Sequence, residues 1–459
     1  MEQGLQFDVE LIRRYDKSGP RYTSYPTAPT FTKAFTEADY WQQIELSNNT
    51  GGPLSLYFHI PFCDTVCFYC ACNKIITKNR QRAETYLKSL FKEIAQQAEL
   101  FDSSRIVNQL HWGGGTPTFL SIEQMRQLMA VTRQHFNLHT DDSGEYSIEI
   151  DPREANAKII AELRALGFNR ISLGVQDFDG AVQKAVNRIQ SEEETFAVLD
   201  AARSEGFKSV SLDLIYGLPL QTAGSFEKTL DKVLAVEPDR LSIFNYAHMP
   251  ALFKVQRQIN EADLPSAAIK LDILQMTTQR LISAGYVYVG MDHYAKPSDD
   301  LVIAQQAGQL YRNFQGYSTH ADCDLIGFGV SSIGRVADAY VQNAKDLQSY
   351  QTTVEKGSLP IQKGYVLSLD DQIRRVVINE LICHFEVDFT LLNKRYEINS
   401  EQYFANEIEQ LKTMAADGLL ECRQDSVRVK PIGRMLIRNI CMVFDQYSAK
   451  KKASFSKVI

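Results

Sequence analysis

From Leu54 onward the sequence alternates short apolar segments, rich in β-branched residues, with amphipathic stretches of helix length. The strands that this pattern predicts are 54–60, 106–112, 145–150, 170–175, 208–215, 240–246 and, with a weaker apolar pattern, 286–294. Repeated strand–helix units of this kind predict a parallel sheet covered by helices, an α/β fold. Six or seven units are compatible with a full or partial (β/α) barrel and with an open doubly wound sheet.

Most of the chemically reactive residues follow directly after one of these predicted strands. They are a cysteine-rich loop after the first strand, "GGGTPT" (113–118) after the second, Glu149 and Asp151 at the third, Gln176 and Asp177 at the fourth, Asp213 at the fifth and His248 after the sixth. In parallel α/β folds the catalytic groups gather at the carboxyl ends of the strands. The sequence therefore predicts one active-site face that these segments share.

Regions without this repeat flank the core, and a chain of 459 residues is long enough for two or three domains. The predicted domains are an N-terminal arm (1–48), a catalytic barrel (49–350) and a C-terminal domain (351–459). The arm contains the turn-rich segment "GPRYTSYPTAPTF" (19–31) and is expected to lie along the barrel. In the C-terminal region, helical patterns at 369–385 and 403–421 precede a hairpin and a helix at 422–447, which predicts a mostly helical, winged-helix-like domain.

Composition and charge exclude several classes of protein. A formal net charge of −7 argues against general affinity for nucleic-acid backbones. The sequence has no run of about 18 apolar residues that would span a membrane, and its first 20 residues lack the pattern of a secretory signal. Eight cysteines are too sparse for a disulfide scaffold, and four of them lie within ten residues. We therefore expect a cytoplasmic protein, without nucleic-acid or membrane partners, whose cysteine loop binds a metal or redox centre.

The loop "CDTVCFYCAC" runs from Cys63 to Cys72 and presents three thiols with CxxxCxxC spacing, at Cys63, Cys67 and Cys70. Three thiolates from one loop can hold three corners of a [4Fe–4S] cluster and leave the fourth iron open as a reactive site. Structural zinc is the alternative, with Cys72 or His59 as the fourth ligand. Because structural zinc sites usually combine ligand pairs from separate segments, and no second CxxC follows, the spacing favours the cluster.

The CxxxCxxC loop after the first strand, together with "GGGTPT" after the second, resembles the radical S-adenosylmethionine (SAM) superfamily. This resemblance implies a partial (β/α)6 barrel and a [4Fe–4S] cluster whose open iron binds SAM through its amino and carboxylate groups. It also implies reductive cleavage of SAM to a 5′-deoxyadenosyl radical. In such enzymes the cofactor carries the difficult chemistry and the protein orients it.

Motifs along almost the whole chain narrow the resemblance to the oxygen-independent coproporphyrinogen III oxidase family. They are "RYTSYPTA" (21–28), "YFHIPFC" (57–63), "HWGGGTPT" (111–118), "IEIDPRE" (148–154), "RISLGVQDF" (170–178), "DLIYGLP" (213–219), "FNYAHMP" (244–250), "MDHYAKP" (291–297), "NFQGY" (313–317), "RNICMVFD" (438–445) and the final "FSKVI". Ala71 departs from the family, which more often has Gly at that position. The resemblance implies oxidative decarboxylation of two propionate side chains of coproporphyrinogen III to vinyl groups, with protoporphyrinogen IX as product.

The resemblance also implies two bound SAM molecules and assigns their contacts residue by residue. The predicted contacts are Tyr57, Gly113, Glu149 and Ile333 for the first SAM, and Tyr69, Gly114, Gly115, Gln176, Arg188, Asp213 and Ala247 for the second. These residue types suit the ligand, because glycines let backbone amides approach closely, while Glu149 can pair with an ammonium and Arg188 with a carboxylate. Taken alone, the glycines also fit a tight turn, the two carboxylates solvated strand ends, and Arg188 a surface position.

The substrate and other partners are predicted from the resemblance and from residue type. The candidate substrate residues are Cys72, as a catalytic helper or a buried small side chain, the cations Arg21, Lys74 and Arg312, and Tyr22 in the N-terminal arm, a possible lid. We expect a monomer that receives electrons from a small redox protein of flavodoxin or ferredoxin type. The alternatives are a haem-binding chaperone, a radical SAM methyltransferase that opens the haem ring, and DNA binding by the C-terminal end through Arg428, Lys430, Arg434 and Arg438.

Overall fold

The computed structural model describes residues 5–448, which divide into two compact units. The first, called the site unit below, comprises Phe31–Ser266 and Asp322–Val366. The second, the flanking unit, comprises the described residues up to Thr30, Ala267–Ala321 and the described residues from Leu367 onward. The ranges 1–48, 49–350 and 351–459 stay a prediction, and the final "FSKVI" lies outside the described residues.

Seven parallel strands form the centre of the site unit. They are β1 (Leu54–Ile60), β2 (Ile106–Gly114), β3 (Glu145–Ile150), β4 (Arg170–Gln176), β5 (Ser209–Tyr216), β6 (Arg240–Asn245) and β7 (Asp324–Phe328). Their order is β6-β5-β4-β3-β2-β1-β7, so the first six follow one another in chain order. All six strands predicted between 54 and 246 are confirmed. The seventh, β7, was not predicted; it pairs in parallel with β1, with Tyr57 opposite Gly327.

Shorter strands complete the sheet of the site unit. The antiparallel strands Ile333–Val336, Ala339–Asn343 and Ile361–Val366 continue from β7. Asn137–Leu138 pairs in parallel with β2, and Phe62–Cys63 forms a separate pair with Ile75–Ile76. Among the described residues of this unit no pairing joins β6 to β7, so the α/β fold is an open, partial barrel.

Helices connect the parallel strands, as the alternating pattern predicted. The helices of the site unit are Glu37–Thr50, Gln81–Ala98, Ile122–His135, Ala157–Ala165, Gly180–Ala185, Glu192–Ser204, Ala223–Ala235 and Leu347–Glu355, with 3-10 turns at Pro117–Phe119, Pro152–Glu154, Lys254–Gln258 and Glu261–Asp263. Several begin at a capping box: the Ser121 hydroxyl accepts from the Gln124 amide, and the Gln124 side chain accepts from the Ser121 amide. This exchange satisfies two amides that the first helical turn leaves unpaired.

Aromatic side chains fill the core around the central strands. Phe58 of β1 stacks on Phe328 of β7 with ring centroids 4.8 Å apart. Trp112 of β2 packs edge-on against Phe168, also at 4.8 Å. All four rings are fully buried, and burial of a large apolar side chain contributes about 1.5–3 kcal/mol. The core therefore fixes the strands whose carboxyl ends carry the reactive residues.

The flanking unit combines helices with short antiparallel strands. Its helices are Val9–Arg14, Ala267–Ser283, Asp300–Gln306, Leu369–His384, Phe389–Tyr396, Ser400–Tyr403, Ala405–Ala416 and Ile437–Val443, with 3-10 turns at Ala28–Thr30 and Pro431–Leu436. Its strands are Val287–Gly290, His293–Ala295, Tyr311–Asn313, Gly316–Ser318, Glu386–Asp388, Leu420–Cys422 and Ser426–Val429. None of the helices in the described part of the chain is both long and apolar enough to cross a membrane.

Two expectations for secondary structure were wrong. Residues 286–294 form a hairpin instead of a single strand, because the chain turns at Met291, where φ is +52°, and Val287–Gly290 runs antiparallel to His293–Ala295. The helix predicted over 403–421 stops at Ala416, because Gly418 adopts φ +79° and ends it, and the chain then enters a strand. The hairpin and final helix predicted at 422–447 are both present.

The predicted N-terminal arm is divided between the two units. In the flanking unit, the Tyr22 hydroxyl donates to the Asp445 carboxylate at 3.0 Å, and Arg438 Nε donates to the Pro20 carbonyl at 3.0 Å. In the site unit, Thr32 instead forms a β-bridge with Gly364. The first part of the arm is therefore held by side chains of the C-terminal segment, and its position along the barrel stays a prediction.

Candidate active site

A cavity opens at the carboxyl ends of β1 to β5, on the face where the sequence predicted the active site. Its walls are formed by Cys63, Thr65, Cys67, Tyr69, Cys70, Cys72, Lys74, Gly114, Gly115, Thr116, Glu149, Ile150, Asp151, Arg153, Ser172, Gly174, Gln176, Arg188 and Asp213. Most of the predicted site residues belong to this set. The cavity thus combines thiols, carboxylates and guanidiniums within one parallel α/β frame.

Backbone hydrogen bonds hold the cysteine loop at its start and in its middle. At its start, the Cys63 carbonyl accepts from the Thr77 amide at 3.0 Å, so the loop is tied to the segment that follows it. In its middle, the Phe68 amide donates to the Val186 carbonyl at 2.9 Å. The loop is thereby fixed between the return strand Ile75–Ile76 and the chain after β4.

The three thiols of the CxxxCxxC pattern are close enough to influence one another. Burial and the charges of Cys70 and Cys67 together raise the pKa of Cys63 to about 11, although the Thr116 hydroxyl donates to Cys63 Sγ at 3.5 Å and lowers the pKa in part. Thiols that repel one another when ionised are stabilised by a shared cation. Three such sulfurs on one wall fit the donor set of a [4Fe–4S] cluster.

The two residues considered as a fourth zinc ligand have other partners. His59 uses both ring nitrogens within the protein, with Nδ1 3.2 Å from the Tyr57 hydroxyl and Nε2 2.9 Å from the Asn73 carbonyl. The Cys72 thiol donates a hydrogen bond to Cys70, which lowers the pKa of Cys70 and raises that of Cys72. A closed four-ligand zinc site is therefore not favoured.

The glycine loop packs directly against the segment that leads into the cysteine loop. A Cβ at Gly115 would lie 2.7 Å from the backbone carbon of Pro61, and the Gly115 amide donates to the Ile60 carbonyl at 2.8 Å. Gly114 adopts φ +113°, and a Cβ there would lie 2.6 Å from the His59 ring. These glycines are required for close packing of two backbones, which a simple tight turn would not demand.

Glu149, at the end of β3, faces the cavity with a partly exposed carboxylate. Its Oε2 accepts from the Gly114 amide at 3.1 Å, and its Oε1 lies 3.4 Å from His111 Nε2. Tyr57 stacks on His111 with ring centroids 5.8 Å apart. Desolvation raises the pKa of Glu149, but His111 and the Gly114 amide outweigh it and lower the pKa. An anion is thus maintained beside the glycine loop.

Arg188 is buried and does not take the surface position that its sequence context also allowed. One terminal nitrogen donates to Asp151 Oδ2 at 2.9 Å and the other to the Gly174 carbonyl at 2.6 Å. Arg153 donates to the same Asp151 oxygen at 2.7 Å. Desolvation raises the pKa of Asp151, but the charges of Arg188 and Arg153 outweigh it and lower the pKa. Both guanidiniums also contact Cys67 Sγ, at 3.6 Å and 3.8 Å.

Asp213 of β5 provides a further carboxylate at the cavity wall. Desolvation raises its pKa to about 6, although the hydroxyls of Ser172 and Ser242 donate to it and lower the pKa in part. The Ser172 Oγ to Asp213 Oδ2 distance is 2.9 Å. Gln176, the last residue of β4, also lines the cavity and has φ +67°.

Four predicted SAM contacts are not among the residues that line the cavity: Tyr57, Gly113, Ala247 and Ile333. Gly113 lies next to the site nonetheless, since a Cβ there would lie 3.0 Å from the Glu149 carboxylate. Gly327 lies between Tyr57 and Ile333. It pairs with Tyr57, and a Cβ added at Gly327 would lie 2.9 Å from the Ile333 backbone. The structure therefore places Tyr57 and Ile333 on two strands that are separated by β7.

Gln256 is a residue that the sequence did not single out. Its side-chain amide donates to the Tyr69 carbonyl at 3.0 Å and to the Ala247 carbonyl at 3.2 Å, and its oxygen accepts from the Met249 amide at 2.6 Å. It is almost completely buried. Gln256 thus connects two residues assigned to the second SAM. Its neighbours in sequence gave no signal, because it lies in a 3-10 turn outside every motif.

Other cavity residues were also missed, although two had a detectable signal. Ser172 is two residues from Gly174 and four from Gln176 on β4, so the alternation of a strand places all three on one face. Arg153 lies within the quoted motif "IEIDPRE", directly after Asp151 and Pro152. Its contact with Cys67 depends on a 3-10 turn that no sequence pattern identified.

Three predicted substrate residues lie in the flanking unit: Arg21, Tyr22 and Arg312. Arg21 forms an ion pair with Asp292. The Arg312 guanidinium lies over the Tyr317 ring at 4.7 Å, and its Nε donates to the Arg21 carbonyl at 3.4 Å. Arg21 and Arg312 are therefore neighbours, and their substrate role stays a prediction.

Comparisons with known proteins agree with this geometry. Residues 57–233 match the Radical SAM superfamily, and residues 367–436 match the HemN C-terminal domain. The oxygen-independent coproporphyrinogen III oxidase of Pseudomonas aeruginosa is 52% identical over 456 residues, which cover 99% of both chains. This chain belongs to the oxygen-independent coproporphyrinogen III oxidase family. The Escherichia coli K12 protein of that name is 48% identical over 459 residues, covering 100% of this chain and 99% of its own.

A solved structure extends the relationship to three dimensions. The Escherichia coli coproporphyrinogen III oxidase (HemN), described as a radical SAM enzyme, matches with a TM-score of 0.93 and 47% sequence identity, covering 97% of this chain and 100% of its own. As a member of the oxygen-independent coproporphyrinogen III oxidase family, the chain is a radical SAM oxidoreductase. Its cofactors are a [4Fe–4S] cluster and SAM.

The C-terminal residues considered for DNA binding are engaged within the flanking unit. Arg428 pairs with Glu386 at 3.0 Å, and Lys430 pairs with Glu421 at 3.2 Å. Arg438 is buried and donates to backbone carbonyls of the N-terminal segment. These pairings favour a packing role for the HemN C-terminal domain over contact with nucleic acid.

Proposed function

We propose that this enzyme converts two propionate side chains of coproporphyrinogen III to vinyl groups by anaerobic oxidative decarboxylation, forming protoporphyrinogen IX in haem biosynthesis. Each propionate loses one hydrogen atom, CO2 and one electron, and the electron passes to an external one-electron acceptor. Two SAM molecules are consumed, and methionine and 5′-deoxyadenosine are released. The observation that carries the proposal is the relationship over the whole length of the chain, 52% identity over 99% of both proteins.

Cys63, Cys67 and Cys70 would hold the cluster and leave one iron for the first SAM. When bound, the cluster and SAM supply an organic radical that removes a hydrogen atom from the propionate carbon next to the ring. In the proposal, Tyr57, Gly113, Glu149 and Ile333 position the first SAM. Glu149 suits its ammonium group, because the pKa of this carboxylate is lowered and the anion persists near neutral pH.

For the second SAM we propose contacts with Tyr69, Gly114, Gly115, Gln176, Arg188, Asp213 and Ala247. Arg188 supports this assignment because its guanidinium is buried at the cavity wall, where it can pair with a carboxylate. Asp213, with a pKa of about 6, is mostly ionised at neutral pH and can accept hydrogen bonds from ribose hydroxyls.

For the substrate carboxylates we propose cationic partners among the lysine and arginine side chains. Lys74 lines the cavity, where its Nζ donates to the Cys70 carbonyl at 3.0 Å. In the flanking unit the proposed partners are Arg21 and Arg312, with Tyr22 as part of a lid. Cys72 is proposed as a helper during catalysis, because its thiol lies at the cavity wall beside Cys70.

The decisive experiment is anaerobic incubation of the reconstituted protein with SAM, a reductant and coproporphyrinogen III. After oxidation, porphyrin fluorescence identifies the product, and chromatography measures 5′-deoxyadenosine. We expect protoporphyrin with two 5′-deoxyadenosine molecules per product. Tight haem binding without product would instead identify a chaperone, and a methylated, ring-opened tetrapyrrole would identify a methyltransferase.

For the electron donor we propose a small acidic redox protein of flavodoxin or ferredoxin type. The segment after the cysteine loop supports this, because Ile76 pairs with Cys63 in a short parallel ladder. Lys78 and Arg82, a few residues further on, are exposed. Basic side chains so close to the cluster loop can guide an acidic partner to the site of electron entry.

A double variant, Lys78→Glu with Arg82→Glu, tests this donor surface. Its cluster should be reduced at least about tenfold more slowly by flavodoxin at low salt, since charges at the rim of an interface mainly change the association rate. Reduction by dithionite should be unchanged. Lys92→Glu is the matched control, because Lys92 is also exposed and lies further along the helix Gln81–Ala98 that contains Arg82. Equal slowing with dithionite and flavodoxin would reject the docking surface.

We further propose that the enzyme acts as a monomer in the cytoplasm. All eight cysteines lie among the described residues and are unpaired, which suits a reducing compartment. Light scattering of the anaerobically purified enzyme should give the mass of one chain, and a dimer mass would reject the monomer.

A further inference from the structure

Arg153 is, like its ion-pair partner Asp151, a charged cavity residue to which the proposed reaction gives no role. It lies in the 3-10 turn Pro152–Glu154, directly after β3, and its side chain is only 19% exposed. Its terminal nitrogen donates to Cys67 Sγ at 3.8 Å and to Asp151 Oδ2 at 2.7 Å. Arg188 makes the same two contacts, at 3.6 Å and 2.9 Å. Two guanidiniums therefore contact one cysteine sulfur, and one carboxylate pairs with both guanidiniums.

The other two cysteines of the loop have different surroundings. Cys63 accepts a hydrogen bond from the neutral Thr116 hydroxyl at 3.5 Å. Near Cys70, the Lys74 ammonium donates to the backbone carbonyl at 3.0 Å and also interacts with the Cys70 side chain, so this cysteine has one ammonium beside it and no guanidinium. Among the hydrogen bonds of the described residues, only those to Cys67 bring guanidinium donors to a loop sulfur. The charge distribution around the three sulfurs is thus asymmetric.

Charge near an iron–sulfur cluster changes its reduction potential, because reduction adds an electron to the cluster. A cation, or a hydrogen bond to a ligand sulfur, stabilises the more negative reduced state and raises the potential. A nearby carboxylate lowers it. The effect is strong where water is excluded, and Cys67 is 9% exposed.

We propose that Arg153 is a positioning residue that acts through Cys67 to raise the reduction potential of the cluster, with Asp151 as the opposing charge. Arg188 is assigned to a SAM carboxylate, so Arg153 supplies the charge at Cys67 that does not depend on substrate. The inference rests on the proposed function only for the presence of the cluster. It concerns the ease of the first electron transfer and not the identity of the product.

The cluster reduction potentials of two reconstituted variants test the inference, because the two substitutions should shift the potential in opposite directions. Redox titration without SAM, followed by electron paramagnetic resonance, gives the midpoint potential of each protein. At a given applied potential, Arg153→Met should lower the ratio of reduced to oxidised cluster about tenfold. This corresponds to a midpoint potential that is lower by about 59 mV for one electron. Arg153→Lys should recover part of that ratio. Asp151→Asn should raise it, because one negative charge near Cys67 is removed.

Arg126→Met is the matched control, because Arg126 also pairs with a carboxylate, Glu162, but is exposed on the helix Ile122–His135. Its potential should equal that of the unchanged enzyme. An unchanged potential in Arg153→Met with full iron content would overturn the inference, and so would equal shifts in Arg153→Met and Asp151→Asn. If Arg153→Met fails to hold iron, the direction of the Asp151→Asn shift decides. Absence of porphyrin product from the unchanged enzyme would reject the proposed function and leave these potentials interpretable.

Discussion

Two polar clusters of the site unit differ in how completely their hydrogen bonds are satisfied. Around Glu93 the Tyr350 hydroxyl and the Gly329 amide donate to one oxygen, at 2.6 Å and 2.7 Å, and Asn343 donates to the other at 2.6 Å. Glu93 is completely buried. Each carboxylate oxygen has a donor within the protein, so the cluster is complete without a ligand.

The cavity cluster is incomplete by the same measure. Arg188 is also buried, yet its Nε has no hydrogen-bond partner among the described residues. Its other two nitrogens donate to Asp151, the Cys67 sulfur and the Gly174 carbonyl, and Arg153 donates to Asp151 and Cys67. Buried polar groups without partners are rare in folded proteins and need an explanation. The comparison indicates that the Glu93 cluster holds the fold, whereas the cavity cluster awaits a ligand.

The largest expected effect is on the incomplete cluster. Cys67→Ser removes one cluster ligand and should reduce product formation by more than about 100-fold, since loss of even an outer partner of a metal ligand typically costs 10- to 100-fold. The anaerobic porphyrin assay, together with iron analysis, measures this loss. The free energy of unfolding of the metal-free protein should change little, because the side chain borders the cavity.

The control for this substitution is Cys422→Ser, a half-buried cysteine of the flanking unit. It should retain iron and activity. Full activity of Cys67→Ser would show that the loop does not ligate the cluster through this residue. Equal losses in the two variants would point to a general effect of removing thiols.

The sequence predicted much of this organisation because periodicity and strand ends are local signals. The bounds of β1 and β3 agree with the predicted segments, and the reactive residues do lie at the carboxyl ends. The prediction missed β7, whose five residues include Gly327 and give no clear alternation. It also mistook 286–294 for one strand, because an apolar pattern does not reveal a turn at Met291.

Site residues that belong to a sequence motif could be predicted, whereas those placed by packing between distant segments could not. The cysteine loop was predicted from its CxxxCxxC spacing, and Glu149 from its place at a strand end and from the family resemblance. The roles of Gly115 against Pro61 and of Gln256 beneath Ala247 depend on contacts between distant segments, which one sequence does not display. Such contacts appear only once the strands are in register.

The next largest effect is expected where the glycine loop meets the cysteine loop. Gly114→Ala should lower the free energy of unfolding by about 2–5 kcal/mol, from about 1–3 kcal/mol of backbone strain at φ +113° and a further cost of overlap with the His59 ring at 2.6 Å. Urea unfolding of the metal-free protein measures it. Gly224→Ala is the control: no atom lies within 4 Å of its Cβ, so it should stabilise the helix Ala223–Ala235 by up to about 1 kcal/mol. Equal stability of Gly114→Ala and the unchanged protein would reject the close contact.

The smallest effect is expected in the complete cluster, and only as a function of pH. Desolvation raises the pKa of Glu93 from 4.5 to about 7, although Tyr350, Gly329 and Asn343 donate to it. Between these values the unfolded chain is ionised while the folded carboxyl keeps its proton. The folded state then binds more protons, so the contribution of Glu93 to stability falls as the pH rises from about 4.5 to 7.

Glu93→Gln removes this titration while keeping an acceptor oxygen. Relative to the unchanged protein, the variant should gain stability from pH 5 to pH 8 by up to about 3 kcal/mol, at 1.36 kcal/mol per pKa unit. Glu84→Gln, an exposed carboxylate on the same helix, should show no such gain. The difference must be taken at each pH, because burial also raises the pKa of Glu380 to about 7 and gives a fall of the same sign. If the difference in free energy of unfolding between Glu93→Gln and the unchanged protein stays constant with pH, Glu93 is ionised throughout. The Glu93 cluster would then be charged, as the cavity cluster is.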